Sequence, residues 1–336
     1  MLLLGVLLGA LLTNTVFWDA VQFTMSKLKL RTGKQLKKAN DTHSATGYTY
    51  GMDHELLNLS QPNTLWLNMG YWKDTEDFVQ ACRALAKKVI DPLKLEQGAR
   101  VLDCGFGCGD QDLYLMELHP SCSLIGVTSE VEQASIAHKR VTEAGLASSV
   151  TLYSGDAVDP ASWRSADSGR PFSHQEFHSQ VYDAILSLDS CYHYNTRQRW
   201  LQLCSTSLRK HGRFSCSDLI LGPGIGEARK NGVRGQFTLL LLRAVLSFTG
   251  APWENFVEEK DYISRLEESG FTEVQVIDIS DHVFPGLGGF VTRHKRSLGG
   301  LVAERKWWQY EGAARLFNWL HRNKLICFVL ANGSKA

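Results

Sequence analysis

Ala99-Arg-Val-Leu-Asp103-Cys-Gly105-Phe-Gly107-Cys-Gly109-Asp110-Gln-Asp-Leu-Tyr-Leu-Met116 is the most informative run in the chain. It reads as a buried strand, a glycine-rich turn and the start of a helix. Val101 and Leu102 are strand residues, and Gly105, Gly107 and Gly109 occupy every second position. Glycine has no Cβ, so its backbone can take positive φ and lie close against a ligand. Asp110 is placed to cap the following helix, whose first N–H groups have no partner within it. A flat or anionic ligand is therefore expected on this turn. A dinucleotide fingerprint would need a third glycine where Asp110 stands, and a P-loop would need Gly-Lys-Ser/Thr. Neither is present.

Working outward, strand and helix patterns alternate five times, which predicts a parallel α/β sheet. The strands are expected at 100–104, 123–127, 150–153, 182–188 and 213–220. Helices are expected at 110–118, 131–144 and 196–208. Upstream, Phe78, Cys82, Leu85 and Val89 recur at helical spacing over 75–90, with Thr75 as cap and Pro92 as stop. Residues 158–180 are polar, contain Pro160 and Pro171, and read as a surface loop. After Gly222-Pro-Gly an apolar helix over 236–249 interrupts the pattern. Further strands are expected at 271–279 and 325–331, with an aromatic helical segment from 293 to 322 between them.

The run Asp103-x-Gly105-x-Gly107-x-Gly109 resembles motif I of the class I S-adenosylmethionine (SAM) methyltransferases. The resemblance covers residues 64–280. It implies a Rossmann-like, doubly wound, seven-stranded α/β sheet, mostly parallel with an antiparallel last strand, and a helical lid inserted at about 224–258. SAM is the implied cofactor. It needs a backbone cradle for its methionine part, an acceptor for the ribose hydroxyls and a partner for the adenine amine. The glycine turn supplies the cradle, and Asp103 faces the sulfonium or the methionine ammonium.

An acid ending strand two is usual for the ribose, but Thr128 stands there. The run Gly126-Val-Thr128-Ser-Glu130-Val-Glu-Gln133 resembles the branch with sterol, tocopherol and cyclopropane-forming enzymes, in which a Thr and a Gln stand near the ribose. Glu130 replaces that branch's usual Ser. Gly155-Asp156-Ala157, after strand three, resembles the family's adenine-contacting Gly-Asp-Ala. Asn68-Met-Gly-Tyr71-Trp72 is similar to a His-x-Gly-Tyr-Trp segment that folds over the cofactor, and Tyr71 is expected to offer its ring face to the sulfonium cation. Asp189 closes strand four beside the cofactor.

Ligands in open α/β sheets bind beyond the carboxyl ends of the strands. His193 follows strand four at that edge, where an imidazole can take a proton from a hydroxyl. Asp218 closes strand five. The two resemble the general-base pair of small-molecule O-methyltransferases, which makes His193 the expected catalytic base and Asp218 its orienter.

Composition narrows the partners. A net charge of +1 gives no reason to expect nucleic acid. Eight cysteines without a CxxC pair argue against zinc and disulfide frameworks, so no metal is expected. Met1 to Trp18 carries no charge and Lys27, Lys29, Arg31, Lys34, Lys37 and Lys38 follow. This pattern predicts a membrane anchor helix over 1–25, a linker with an N-terminal helix over 26–63, and a methyltransferase domain over 64–336. The positive-inside rule places that domain in the cytosol, at the endoplasmic reticulum in a eukaryote. The apolar lid and the anchor together favour a small lipophilic acceptor, a lipid or isoprenoid, methylated on oxygen. Carbon methylation of the sterol or cyclopropane kind, and a SAM-binding partner without chemistry, stand as alternatives.

Overall fold

The computed structural model describes residues 57–58, 63–172, 182–298 and 304–336. The expected anchor over 1–25 and nearly all of the linker lie outside the described residues. Among the described residues no helix is long and apolar enough to cross a membrane.

The first described helix, α1 (Phe78–Ile90), buries Phe78, Cys82, Leu85 and Val89, the stripe that its spacing predicts. Its cap is Asp77 and not Thr75. Asp77 Oδ1 accepts from the Gln80 N–H at 2.9 Å, while Thr75 Oγ1 accepts from the Asp77 N–H. The Trp72 ring lies 6.2 Å from that of Phe78, the first helical residue.

The sheet is built from β1 (Arg100–Cys104), β2 (Ser123–Thr128), β3 (Val150–Ser154), β4 (Arg164–Ser165), β5 (Tyr182–Ser187), β6 (Leu208–Leu221), β7 (Phe271–Asp278) and β8 (Ile326–Lys335). Their order across it is β4-β3-β2-β1-β5-β6-β8-β7. Strands β3, β2, β1, β5 and β6 are parallel, and β8 enters antiparallel between β6 and β7. The sheet therefore has eight strands where seven are expected. The eighth, β4, comes from the segment read as a surface loop, and pairs antiparallel with the end of β3. That segment is anchored by Trp163 and Phe172, both buried. Its polar composition hid two large aromatics with inward positions.

Side chains alternate across a strand. Val101 accordingly joins one core and Leu102 the other. Helices α2 (Asp110–Leu118), α3 (Val131–Glu143) and α4 (Arg197–Ser207) cover the two faces. The insertion after β6 forms α5 (Gly224–Lys230) and α6 (Gly232–Phe248), then a short turn at Trp253–Asn255 and α7 (Glu259–Glu268). In α6, Leu242 and Leu246 are buried, while Val233 and Leu240 are 61% and 64% exposed. The aromatic segment is two helices, α8 (Phe284–Leu298) and α9 (Glu304–Arg322), beginning nine residues before the expected start.

Candidate active site

The glycine turn sits at the carboxyl edge of the sheet, between β1 and α2. Its three glycines have φ of +89°, +61° and +87°. A Cβ at Gly105 would strike Ser190 Cβ at 2.7 Å, and one at Gly107 would strike Leu67 Cδ1 at 2.7 Å. Gly109 is itself the N-cap of α2, in the left-handed region and without a side-chain cap. Asp110 is the first helical residue and does not cap. Its carboxylate takes a bidentate pair from Arg140 on α3, at 2.6 and 2.7 Å, and accepts from the Leu65 N–H at 3.1 Å. A permanent guanidinium outcompetes the backbone for a nearly buried carboxylate.

The N–H groups of Phe106, Gly107 and Cys108 find no acceptor among the described residues. Buried N–H groups rarely stay unpaired. Three in a row on a positive-φ turn fit the cradle that a carboxylate-bearing methionine part needs. Asp103 ends this floor, fully buried, and Gln111 Nε2 donates to both of its oxygens at 2.9 and 2.7 Å. Burial raises its carboxyl to about 6.

Thr128 and Gln133 come together. The Thr128 hydroxyl donates to Gln133 Oε1 at 3.4 Å across the entry of α3. Glu130, between them, is the N-cap residue by position but makes no cap hydrogen bond. It is half-buried, and that burial raises its carboxyl. The Gly155-Asp156-Ala157 turn lies beside them. Trp163 Nε1 donates to the Asp156 carbonyl at 2.7 Å, and the Asp156 N–H donates to Ser162 Oγ at 2.9 Å. Asp156 is exposed; its Oδ1 receives the Val158 N–H and Ala157 is buried beneath. The unexpected β4 segment is therefore what braces this corner.

Residues 64–72 cross the same edge as a strap. Met69 N–H donates to Asp189 Oδ2 at 2.7 Å, and Tyr192 OH to Asp189 Oδ1 at 3.1 Å. Asp189 has a φ of +54°, and burial raises its carboxyl to about 7. One sequence expectation for the strap changes. Tyr71 is buried with the Lys88 ammonium 4.2 Å from its ring centroid and His282 edge-on at 5.2 Å, so a cation of this chain already sits on a ring face. Asn68 works as a turn residue, with Oδ1 accepting from the Gly70 N–H.

The pair expected at the acceptor side is not formed. Asp218 is fully buried, and its Oδ2 accepts from Arg197 Nη1 at 2.6 Å and Tyr262 OH at 2.7 Å. Asp218 is a buried ion-pair residue here, not the orienter of His193. The physical reason is that a buried carboxylate requires a charged or strongly donating partner, and Arg197, always protonated, supplies it at 1% exposure. His193 lies in the short turn Cys191–His193 after β5, with its ring 4.3 Å from that of Tyr192. Burial lowers it to about 4, so the imidazole is neutral at pH 7.

Sequence reasoning missed the residue that shapes this turn. Asn255, fully buried at the end of the lid insertion, donates from Nδ2 to the carbonyls of Tyr192 (3.0 Å) and Tyr194 (2.7 Å), on either side of His193. Its Oδ1 accepts from the Arg197 N–H, and its carbonyl accepts from Arg197 Nη2. A lone Asn far along the chain carries no signal that would identify it. Ser190 Oγ and Tyr194 OH donate to the Cys104 carbonyl, tying this turn to β1. Cys191, Cys216 and Asp218 also converge within 4.8 Å. Burial pushes the Cys191 thiol well up, and Asp218 already carries Arg197, so this trio is a poor cation site.

Comparison with known proteins places this geometry. A family model described as mycolic acid cyclopropane synthetase matches residues 37–219. The erythromycin 3''-O-methyltransferase of Saccharopolyspora erythraea is 27% identical over 219 residues, 65% of this chain and 65% of that protein. The chain thus spans just under two thirds of that relative's length. An O-methyltransferase of Pyrenophora dematioidea is 23% identical over 71% of this chain and 80% of its own. Among solved structures, the cyclopropane synthase MmaA2 from Mycobacterium tuberculosis superposes with a TM-score of 0.64 at 15% identity, over 84% of this chain and 94% of its own.

Proposed function

The chain belongs to the mycolic acid cyclopropane synthetase family, among the class I SAM methyltransferases of the cyclopropane and natural-product branch, and on that premise we propose that it methylates a small lipophilic acceptor on oxygen. The observation that carries this is the alignment, along one sheet edge, of the open N–H groups of 106–108, Asp103, the Thr128–Gln133 pair and Asp156. They match, part by part, what SAM presents.

Bound SAM supplies an electrophilic methyl on a sulfonium. The chain's part is to hold and orient. The turn 105–109 receives the methionine end, Thr128, Glu130 and Gln133 stand at the ribose, and Asp156 with Ala157 stands at the adenine. The strap 64–72 excludes water from above. His193, kept neutral by burial, accepts the proton that the acceptor hydroxyl gives up as its oxygen takes the methyl. A base lowered to about 4 pulls weakly, so positioning and exclusion of water carry more of the rate than proton transfer does. The O-methyltransferase relatives favour oxygen. The apolar α6 and the charge-free Met1–Trp18 stretch favour a lipophilic acceptor met at a membrane.

The test is labelled SAM with a fractionated lipid extract, comparing wild type with Gly107→Arg and His193→Gln. Label transfer to a hydroxylic lipid, lost in Gly107→Arg and reduced about 10²-fold in His193→Gln, is the expected result. Full transfer by His193→Gln favours carbon methylation of the cyclopropane kind. SAM binding without transfer to any fraction leaves a partner protein. Deleting residues 1–25 is expected to release the protein from membranes.

A further inference from the structure

Beneath the glycine turn lie two carboxyls, not one. Asp103 and Asp112 are both fully buried. They lie within hydrogen-bond reach of each other. Their partners differ. Gln111 gives N–H to both Asp103 oxygens, whereas neither Asp112 oxygen has a donor among the described residues. The charged group facing the pair from α2 is Asp110, and Arg140 from α3 already neutralises it. On β1 the Cys104 thiol is held up at about 12 and is neutral. Among the described residues no cation is therefore left to balance a second negative charge in this cluster.

Two adjacent buried carboxyls in that setting cannot both be ionised; they hold one proton between them. The donor arrangement says which one keeps it. The carboxyl with two amide N–H contacts is the better anion, and the one with none is the better acid. An Asp112 O–H pointed at Asp103 also satisfies a group that otherwise stands unpartnered.

We propose that Asp112 is a positioning residue for the cofactor, which keeps its proton, donates it to Asp103, and so leaves one net negative charge under the cradle to meet the cofactor's methionine ammonium. This rests on the reading of the turn as the SAM site. It adds that the floor of the site is an acid–carboxylate pair, in which the neutral member fixes the rotamer of the charged one.

The test uses the full chain and S-adenosylhomocysteine as probe, with Asp112→Asn and Asp112→Leu. Binding is read by calorimetry. Ionisation is read from the infrared difference between wild type and Asp112→Asn near neutral pH, in which other buried acids cancel. A protonated-carboxyl stretch is expected in wild type and absent in Asp112→Asn. The amide N–H replaces the acid O–H, so Asp112→Asn is expected to bind within about threefold of wild type. Asp112→Leu, which gives Asp103 nothing, is expected to bind about tenfold more weakly. Absence of the protonated-carboxyl band in wild type overturns the proposal, and this readout stands even where the Asp112→Leu variant folds poorly. Asp112→Asn binding as weakly as Asp112→Leu overturns it too. Failure of wild type to bind the probe at all overturns the SAM reading instead.

Discussion

Asp103 on β1 and Asp218 on β6 are both fully buried carboxyls in parallel strands of one sheet, and the chain treats them in opposite ways. Asp218 is clamped by the Arg197 guanidinium and the Tyr262 hydroxyl. Asp103 is met by an amide and a second carboxyl, with no ion-pair partner among the described residues. A buried anion that carries its own permanent cation is complete and serves the fold. One that lacks a cation is complete only when a ligand brings a positive charge. The difference separates the glycine-turn half of the sheet, β1 to β3, from the half that joins β5, β6 and the lid.

The sharpest break in that comparison is Asp218→Asn. Arg197 would be left buried without its counter-charge, at a cost of about 3–5 kcal/mol. Urea unfolding is expected to show that loss. Equal stability of the variant would mean that Asp218 is not a structural ion-pair residue. Asn255→Ala comes next. It unpairs the Tyr192 and Tyr194 carbonyls and the Arg197 N–H, for about 2 kcal/mol. Because Asn255 brackets His193, turnover is expected to fall while the affinity for S-adenosylhomocysteine stays within about twofold. A variant that loses affinity as well would join the two halves that the comparison separates.

A smaller effect sharpens it through pH. Burial raises Asp189 from 3.8 to about 7, so the fold favours its acid form. Its contribution to stability is full below about pH 4 and is lost as pH rises through about 7. Asp189→Asn keeps an acceptor for the Met69 N–H and removes the titration. Wild type is expected to lose stability over that window relative to the variant, as read by thermal unfolding. Parallel pH profiles would show that Asp189 is not buried as an acid.

Legibility in the sequence followed the same division. Motif spacing found the glycine turn, the Thr128–Gln133 pair and the Gly155–Ala157 corner, because backbone conformation and short-range contacts dictate those residue types. The parallel strands followed from alternation. The half that joins β5, β6 and the lid depends on long-range partners. His193 and Asp218 close adjacent strands, which suggested a pair. The decisive contact came from Arg197, at the start of α4, and Asn255 reached the His193 turn across 61 or more residues. The charged neighbour of Tyr71 was hidden for a similar reason. Lys88, near the end of α1, lies over its ring, and nothing in the run 68–72 announces it. The aromatics Trp163 and Phe172 were hidden in a stretch whose average polarity suggested solvent.

The division itself is tested most directly by titrating S-adenosylhomocysteine into wild type, Gly107→Arg and His193→Ala by calorimetry. Gly107 holds φ at +61° with Leu67 Cδ1 2.7 Å from where a Cβ would stand, so an arginine fills the cradle. Wild type and His193→Ala are expected to bind with equal affinity, and Gly107→Arg to give no heat. Undiminished binding by Gly107→Arg would contradict the division.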